Sequence, residues 1–330
     1  MTQKQIVIIG AGPCGLSAAI ACQQAGLDPV IIEKENVVSA IYRYPTHQTF
    51  FSSSDNLEIG SVAFPTVERK PRRSEALAYY REVAVRYQLS IQTYERVTAV
   101  LKKQDGRFAV HTSKKSGENK AYDADFVIFA TGYYDNPNKT DIPGEEQDHV
   151  FHYFHEAHPF FQEKVTIVGG KNSAVDAALE LEKAGAEVTV LYRGEQLPDD
   201  VKPWIAPEFL SLARKGKINL VYDAHVTEIK KDVVSYITGG KAHEAPSDFV
   251  FLMTGYRPDH ALLTASGVEI DETTGRPQFA PDSMETNVKN LFIAGVIAAG
   301  NDANEIFIEN GRHHGPLIAE VIAGRAGGNL

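Results

Sequence analysis

The strongest constraint on the fold is a strand–glycine–helix–strand pattern that occurs twice. In the first copy an apolar run leads into a glycine-rich turn at residues 10–15, then into a helical run and a second apolar strand that ends at Glu33. The second copy, about 160 residues later, has its turn at residues 169–174 and its next strand at 187–191. Continuous apolar strands that alternate with helices are typical of parallel sheets covered on both faces. We therefore predict an α/β protein with two Rossmann-type nucleotide-binding domains.

The first glycine-rich turn has the features of an FAD cradle. A helix N-terminus presents unpaired N–H groups and the positive end of the helix dipole, which suit a pyrophosphate. Gly10 permits the tight turn, Gly12 lets the backbone approach the phosphate, and Gly15 lets the helix pack on the strand. Glu33 lies 23 positions after Gly10, at a strand end where a carboxylate can accept hydrogen bonds from a ribose.

Further cofactor contacts are expected from other residues of the turn and from loops and strand ends outside it. The segment 42–54 is polar, aromatic and too irregular for a helix, so we expect it to line the flavin with hydroxyls and rings. The alternative is a solvated loop with two buried phenylalanines. The further predicted cofactor-binding residues are Pro13, Cys14, Lys34, Tyr42, His47, Thr49, Ser52, Val97, Ala130, Thr131, Gly132, Gly295 and Asp302.

The second turn is predicted to bind NADPH. The residue 23 positions after Gly169 is Tyr192, not an acid, and Arg193 follows it. An acid would repel a 2′-phosphate, whereas a guanidinium forms charge-assisted hydrogen bonds with it; the alternative is that Arg193 is a surface charge. Lys171 takes the place of the second glycine, so either the loop widens and the ammonium meets the pyrophosphate, or the nucleotide binds off the usual axis. The other predicted contacts are Gly170, Asn172, Ser173, Thr254 and Gly255.

Two further apolar strands mark where the chain passes between the domains. One stops at Thr131–Gly132 and the other at Thr254–Gly255, and glycine lets the backbone turn away at the carboxyl ends of strands, where α/β folds bind ligands. We therefore predict a discontinuous FAD-binding domain of residues 1–136 and 259–330. The NADPH-binding domain, residues 137–258, is inserted into it.

Composition and charge limit the classes of binding partner and the cellular compartment that we expect. The net charge of -10 and the scattered basic residues argue against nucleic-acid and membrane partners. No secretion signal and no 18-residue apolar run is found, and the two cysteines have no pairing pattern, so we expect a cytoplasmic protein. We expect no metal site, although His152, His155 and His158 are close in sequence. Surface positions are expected for His313 and His314, and the alternative is that they approach the flavin edge.

Over its whole length the chain resembles the thioredoxin-reductase-like flavoproteins, and most closely the bacillithiol-disulfide reductase family. Residues 10–19, 44–55, 151–154, 169–174 and 294–304 carry the likeness. The resemblance implies FAD, NADPH, reduction of bacillithiol disulfide, and a homo-oligomer, either a dimer or a tetramer. It also makes Lys171 a family feature.

One departure concerns the end of the flavin strand, which thioredoxin reductases usually close with Gly-Asp. Here Gly295 is followed by Val296. The acid contact is therefore lost, or it is supplied by Asn301 or Asp302.

The cysteines exclude an internal dithiol relay. No Cys-x-x-Cys pair is present, and Cys14 and Cys22 are separated by about 12 Å along one predicted helix, beyond the reach of a disulfide. Cys14 lies in the phosphate-binding turn, where the helix N-terminus favours thiolate and lowers the thiol pKa. The family likeness supports a catalytic Cys14, whose thiolate attacks a substrate disulfide before reduced flavin resolves the mixed disulfide. The alternative is a small residue that fills space beside the flavin.

Other functions stay open at this point. Residues 129–133, Ser54–Asp55 and residues 170–173 with Asp176 are similar to flavin monooxygenases, but the usual Phe-x-Gly-x-x-x-His fingerprint is absent. An NADPH reductase of a ferredoxin- or flavodoxin-type protein also fits, since such an enzyme needs no redox cysteines. A non-enzymatic sensor ranks last, because no part of the sequence resembles an effector module.

Overall fold

The computed structural model describes residues 2–302 and 304–327, and the chain divides into two compact units. The first unit comprises Met1–Tyr42, Gln48–Asn136 and Tyr256–Leu330, and the second comprises Arg43–His47 and Pro137–Gly255. The second unit is thus inserted into the first along the chain.

The described residues form fifteen strands, eight α-helices and three short 3-10 helices. The strands are β1 Thr2–Ile9, β2 Pro29–Ile32, β3 Ile91–Gln92, β4 Glu95–Lys102, β5 Phe108–Lys114, β6 Asn119–Phe129, β7 Val150–Phe151, β8 Lys164–Val168, β9 Glu187–Leu191, β10 Ile218–Val221, β11 His225–Ile229, β12 Val233–Thr238, β13 Lys241–Pro246, β14 Phe249–Leu252 and β15 Leu291–Ile293. The α-helices are α1 Pro13–Gln24, α2 Ser39–Tyr42, α3 Arg73–Arg86, α4 Asn172–Lys183, α5 Ala206–Arg214, α6 Ala261–Ala265, α7 Ile308–Gly311 and α8 His314–Gly327. The 3-10 helices are Ser54–Leu57, His158–Phe160 and Val296–Ala299.

The first unit is built on one sheet with a parallel and an antiparallel part. Strands β3, β2, β1 and β6 pair in that order and are all parallel. The amino-terminal part of β6 pairs in antiparallel fashion with β5, which in turn pairs with β4, and the last three residues of β6 pair in parallel with β15. Strand β6 therefore joins the two parts of this sheet.

The second unit repeats the parallel arrangement. Its sheet has the order β10, β9, β8, β14, β7, with every pair parallel, and β11–β13 form a separate antiparallel sheet. Strands β8, β9, β10 and β14 thus correspond to β1, β2, β3 and β6 of the first unit. This topology confirms the predicted α/β class with two Rossmann-type units.

Helix α1 is tightly packed within the first unit. Leu16, Ala18 and Ile20 are at most 1% exposed, since α1 packs against both the sheet and α8. A Cβ added at Gly315 would lie 2.6 Å from the Cα atom of Ala18, so α8 approaches the backbone of α1. Glycine and alanine at the contact are what allow this approach.

The segment 43–47 differs from the predicted domain extents. The prediction placed it with residues 1–136, whereas the structure groups it with the second unit. There the backbone N–H of Thr46 donates to the carbonyl of His155 over 2.8 Å, and the His47 ring centroid lies 6.2 Å from that of Phe154. These contacts attach residues 43–47 to the second unit, whereas sequence alone grouped them with the residues next to them in the chain. The binding of one cofactor by each unit stays a prediction.

Close packing of α1 on β1 predicts a specific glycine requirement. A Cβ at Gly15 would lie 2.0 Å from the carbonyl oxygen of Gly10, so we expect Gly15→Ala to lower the free energy of unfolding by about 1–3 kcal/mol. The measurement is urea unfolding followed by circular dichroism. The matched control is Gly324→Ala in α8, where an added Cβ meets no atom within 4 Å; there we expect a neutral or slightly stabilising change. Equal losses in both variants would contradict the prediction.

Candidate functional site

The two glycine-rich turns have the same geometry at their first residue. Gly10 has a φ of +111° and Gly169 a φ of +142°, values that favour glycine. A Cβ at Gly10 would lie 2.4 Å from the carbonyl oxygen of Ala130, and one at Gly169 would lie 2.4 Å from that of Met253. Both turns therefore need glycine for conformation and for close approach to the neighbouring strand.

Among the described residues, no side chain caps the start of the helix that follows either turn. Gly12 is the N-cap of α1 and Lys171 is the N-cap of α4. Gly12 has an ordinary φ of −73°, and a Cβ there would meet no protein atom within 4 Å. Neither conformation nor protein packing explains this glycine, but the approach of a pyrophosphate to the helix N-terminus does. The turn therefore fits a dinucleotide.

Glu33 is buried and braces the first turn. One carboxylate oxygen accepts a hydrogen bond from the backbone N–H of Ala11 at 2.8 Å, and the other accepts one from the N–H of Glu35 at 2.9 Å. Burial raises the pKa of Glu33, although these hydrogen bonds and Lys34 lower it. Each oxygen keeps a further lone pair, so the predicted contact with a ribose is compatible with this bracing.

The second turn has the same backbone shape as the first, although Lys171 stands where the first turn has Gly12. The φ and ψ of Lys171, −93° and −175°, are close to the −73° and 173° of Gly12, so the loop is not widened. The ammonium lies 3.1 Å from a carboxylate oxygen of Asp200, and the side chain is 65% exposed. The start of α4 therefore carries a positive charge, and a phosphate can replace Asp200 as the partner of the Lys171 ammonium.

Asn172 connects the start of α4 to a neighbouring loop. Its side-chain oxygen accepts a hydrogen bond from the N–H of Lys202 at 2.8 Å, and its amide nitrogen donates to the carbonyl of Asp200 at 3.3 Å. Ser173 and Arg193 are exposed. Within the described residues Arg193 makes no ion pair, as suits a residue predicted to bind an anion.

The strand ends that close the two sheets are ordered by local contacts. Ala130 is 8% exposed, and Thr131 and Gly132 follow it with partial exposure. In the second unit the hydroxyl of Thr254 donates to the carbonyl of Asn138 over 3.1 Å, and the N–H of Asn138 donates to the carbonyl of Gly255 over 3.0 Å. The predicted strand ends therefore lie at the carboxyl edges of their sheets.

Cys14 is partly exposed, but its Sγ atom is packed closely against two glycines, which we call the enclosure of Cys14. Its Sγ atom is 2.9 Å from where a Cβ would stand at Gly295 and 3.0 Å from where one would stand at Gly311. Burial, and secondarily the negative charge of Glu309, raises the pKa of Cys14 to about 12. The direction is opposite to that expected from the helix dipole, because desolvation of a thiolate outweighs the field of the helix N-terminus.

His314 contacts the end of β15. The expectation was a surface position, but the side chain is half-buried and its Nδ1 atom accepts a hydrogen bond from the N–H of Gly295 at 3.1 Å. Burial, aided by His313, lowers the pKa of His314, so the ring is neutral at pH 7 with its proton on Nε2. An approach of this histidine to the flavin edge was the alternative that its place in the last helical run left open.

The remaining predicted contacts of the first unit are spread over its surface. Lys34 forms an ion pair with Asp135, and Tyr42 is 64% exposed, with the Arg73 guanidinium 5.2 Å from its ring centroid. Asp302 is exposed and accepts a hydrogen bond from the N–H of Asn304 at 3.0 Å.

Four other predicted residues lie on loops and strands. Thr49 is exposed and forms an isolated bridge with Arg72. Ser52 is half-buried, as is Val97 in β4. His47, which lies 3.8 Å from Glu180, belongs to the second unit and not to the unit of Thr49 and Ser52. The segment 42–54 is therefore divided between the units.

The described residues contain neither a candidate metal site nor a candidate membrane-spanning helix. No group of three or more His, Cys, Asp or Glu side chains is arranged to hold a metal ion within residues 2–302 and 304–327. Over the same ranges, none of the helices is both long and apolar enough to cross a membrane.

Comparison with known proteins identifies the family. The model of the pyridine nucleotide-disulphide oxidoreductases matches residues 7–295. Bacilliredoxin reductase Bdr from Bacillus subtilis (strain 168) is 56% identical over 326 residues, which cover 98% of this chain and 99% of that protein.

Two solved structures have the same fold and similar sequences. Bacillithiol disulfide reductase Bdr from Bacillus cereus superposes with a TM-score of 0.96 at 56% identity, covering 98% of this chain and all of that one. The enzyme of the same name from Staphylococcus aureus gives a TM-score of 0.94 at 50% identity, with 98% and 99% covered. These matches confirm the resemblance predicted from the sequence. The chain therefore belongs to the pyridine nucleotide-disulphide oxidoreductases and, among them, to the bacillithiol disulfide reductase (Bdr) family, and it is an oxidoreductase.

Proposed function

We propose that this enzyme uses bound FAD and NADPH to reduce bacillithiol disulfide. The balanced reaction consumes one disulfide, one NADPH and one proton, and yields two thiols and NADP⁺. The observation that carries the proposal is the pair of equivalent glycine-rich turns in a chain that matches bacillithiol disulfide reductases over 98% of its length. A homo-oligomer in the cytoplasm is part of the same proposal.

FAD is assigned to the first unit. The uncapped start of α1, with Gly10, Gly12 and Gly15, would hold the pyrophosphate, and Glu33 would bind a ribose hydroxyl. When bound, FAD supplies a group that accepts a hydride and passes two electrons to a disulfide. His314 holds the N–H of Gly295 beside Cys14, so it fixes the end of β15 at this site.

NADPH is assigned to the second unit. The start of α4 offers backbone N–H groups, the Lys171 ammonium adds a positive charge, and the exposed Arg193 guanidinium would bind the 2′-phosphate. A carboxylate is absent from the strand end where Glu33 stands in the first unit, since that position is Tyr192. These features support NADPH over NADH.

The names of the relatives point to two related acceptors. The relatives from Bacillus cereus and Staphylococcus aureus are named for bacillithiol disulfide, and the one from Bacillus subtilis for bacilliredoxin. Our second candidate acceptor is therefore bacilliredoxin in a disulfide form. Either acceptor must be reduced without an internal dithiol, since Cys14 and Cys22 are the two cysteines and both lie on α1.

Cys14 enters the proposal as the candidate nucleophile. Attack by its thiolate on the substrate would form a mixed disulfide and release the first thiol. Because the pKa of the Cys14 thiol is raised, this role requires a change when the substrate binds. The substrate must either loosen the packing of Gly295 and Gly311 around the thiol or change the charge near it. Direct reduction of the substrate, with Cys14 as a packing residue, is the competing mechanism.

The acceptor is tested under anaerobic conditions. The purified yellow enzyme is reduced with NADPH, and candidate oxidants are then added one at a time while the flavin absorbance is followed. We expect bacillithiol disulfide, or bacilliredoxin in its disulfide form, to restore the oxidised spectrum. The controls are oxidised ferredoxin and flavodoxin, and oxygen with an amine or ketone. Return of colour with these controls alone would reject the proposal, as would a protein that binds no flavin.

The enclosure of Cys14 predicts low thiol reactivity in the resting enzyme. A pKa of about 12 against the ordinary 9.0 leaves about a thousandfold less thiolate at pH 8 than in an exposed cysteine. We expect iodoacetamide to label Cys14 at least about a hundredfold more slowly than free cysteine, measured by mass spectrometry of the Cys14 peptide. Unfolding in urea should restore ordinary labelling. A rate in the folded protein like that of free cysteine would contradict the burial.

The nucleophile role is tested by Cys14→Ala. We expect the variant to keep its flavin and its reduction by NADPH but to lose about a thousandfold or more of disulfide turnover, because the attacking atom is gone. Cys22→Ala on the same helix is the matched control and should retain turnover. Undiminished turnover in Cys14→Ala would assign Cys14 to packing.

A further inference from the structure

Tyr192 occupies, in the second unit, the position that Glu33 occupies in the first. The last paired residues of the corresponding strands are Ile9 with Ile32 and Val168 with Leu191. Glu33 directly follows the first pair and Tyr192 the second. The two residues are therefore structural equivalents at the end of the strand next to the glycine-rich turn.

The two equivalents contact their turns in different ways. In the first unit the Glu33 carboxylate accepts a hydrogen bond from the N–H of Ala11. In the second unit the residue equivalent to Ala11 is Gly170, and a Cβ there would lie 2.4 Å from Cδ2 and 2.5 Å from Cγ of Tyr192. An aromatic ring thus covers the backbone position that a carboxylate holds in the other turn.

A second glycine contacts the opposite edge of the same ring. A Cβ at Gly194 would lie 2.5 Å from Cε1 and 2.8 Å from Cζ of Tyr192. Neither Gly170 nor Gly194 has a left-handed φ, so the backbone conformation does not require glycine at either position. The space taken by the ring accounts for both glycines.

The backbone around the ring is held by the neighbouring strand end. The N–H of Tyr192 donates to the carbonyl of Val221, and the N–H of Ala224 donates to the carbonyl of Tyr192, each over 3.0 Å. The N–H of Asp223 donates to the carbonyl of Gly194, also over 3.0 Å. The exposed Arg193 therefore lies between two anchored residues.

We propose that Tyr192 is a positioning residue that determines dinucleotide specificity. Its neutral ring replaces the acid that would repel a 2′-phosphate, and its contacts with Gly170 and Gly194 set the backbone from which Arg193 reaches that phosphate. The inference rests on the NADPH preference of the proposed function and adds the residue that produces it. It does not depend on the identity of the disulfide.

The test uses nucleotide fragments that lack nicotinamide. The affinities of the FAD-loaded enzyme for 2′,5′-ADP and ADP are measured by calorimetry, and the melting temperature of each variant is recorded. The variants are Gly170→Ala, Tyr192→Ala, Tyr192→Glu and the double variant of Gly170→Ala with Tyr192→Ala. Arg193→Ala marks the loss of the phosphate contact itself. The matched control is Asn219→Glu, which adds a carboxylate to an exposed residue of β10 away from the turn.

The wild type should bind 2′,5′-ADP about tenfold or more tightly than ADP, as a charge-assisted contact predicts. Gly170→Ala should remove most of that ratio by displacing the ring, although alanine itself suits the turn, as Ala11 shows in the first unit. Tyr192→Glu should remove it through charge, and Asn219→Glu should preserve it. In the Tyr192→Ala background the added methyl at position 170 should have no further effect.

Three results would overturn the inference, and they differ in what else they reject. If the wild type prefers 2′,5′-ADP and both Gly170→Ala and Tyr192→Glu keep the preference, Tyr192 has no role in specificity while the proposed use of NADPH stands. If the wild type binds both fragments equally, the NADPH preference fails together with the inference. A parallel loss of affinity for both fragments in Gly170→Ala would show damage to the turn, and so would also reject positioning of Arg193.

Discussion

The close approach of each glycine-rich turn to the neighbouring strand is the contact on which the rest of the structure depends. A methyl group at Gly10 or Gly169 would collide with the carbonyl oxygen of Ala130 or Met253. Because the turn lies on that strand, the helix that follows starts at the carboxyl edge of the sheet with its N–H groups available. Tight packing of α1, through Gly15, then keeps that helix start in place.

The two turns show how one backbone geometry supports different chemistry. Their N-cap residues, Gly12 and Lys171, have nearly the same φ and ψ, so the difference lies in the side chains. One turn is braced by the buried carboxylate of Glu33, and the other is covered by the ring of Tyr192. A neutral ring does not repel the 2′-phosphate of a phosphorylated ribose, whereas a carboxylate suits a free hydroxyl.

Burial decides the state of the groups at the end of β15. The thiol of Cys14 lies at a helix start, where the dipole favours thiolate, yet its pKa rises because burial disfavours the charged thiolate and Glu309 adds a negative charge. His314 is held neutral by the same kind of burial and orders the N–H of Gly295. Under the proposed role of Cys14 as the nucleophile, substrate binding must therefore change this enclosure.

The sequence by itself determined the α/β class and the two Rossmann-type units, because glycine spacing and strand patterning are local properties of the chain. It also indicated the family, since the motifs at both turns lie in short contiguous segments. Only the tertiary structure decided the raised pKa of Cys14, the burial of His314, the grouping of residues 43–47 with the second unit, and the contact of Tyr192 with Gly170 and Gly194. Each of these depends on residues far apart in the chain, because desolvation and packing are set by neighbours in space and leave no periodic pattern in the sequence.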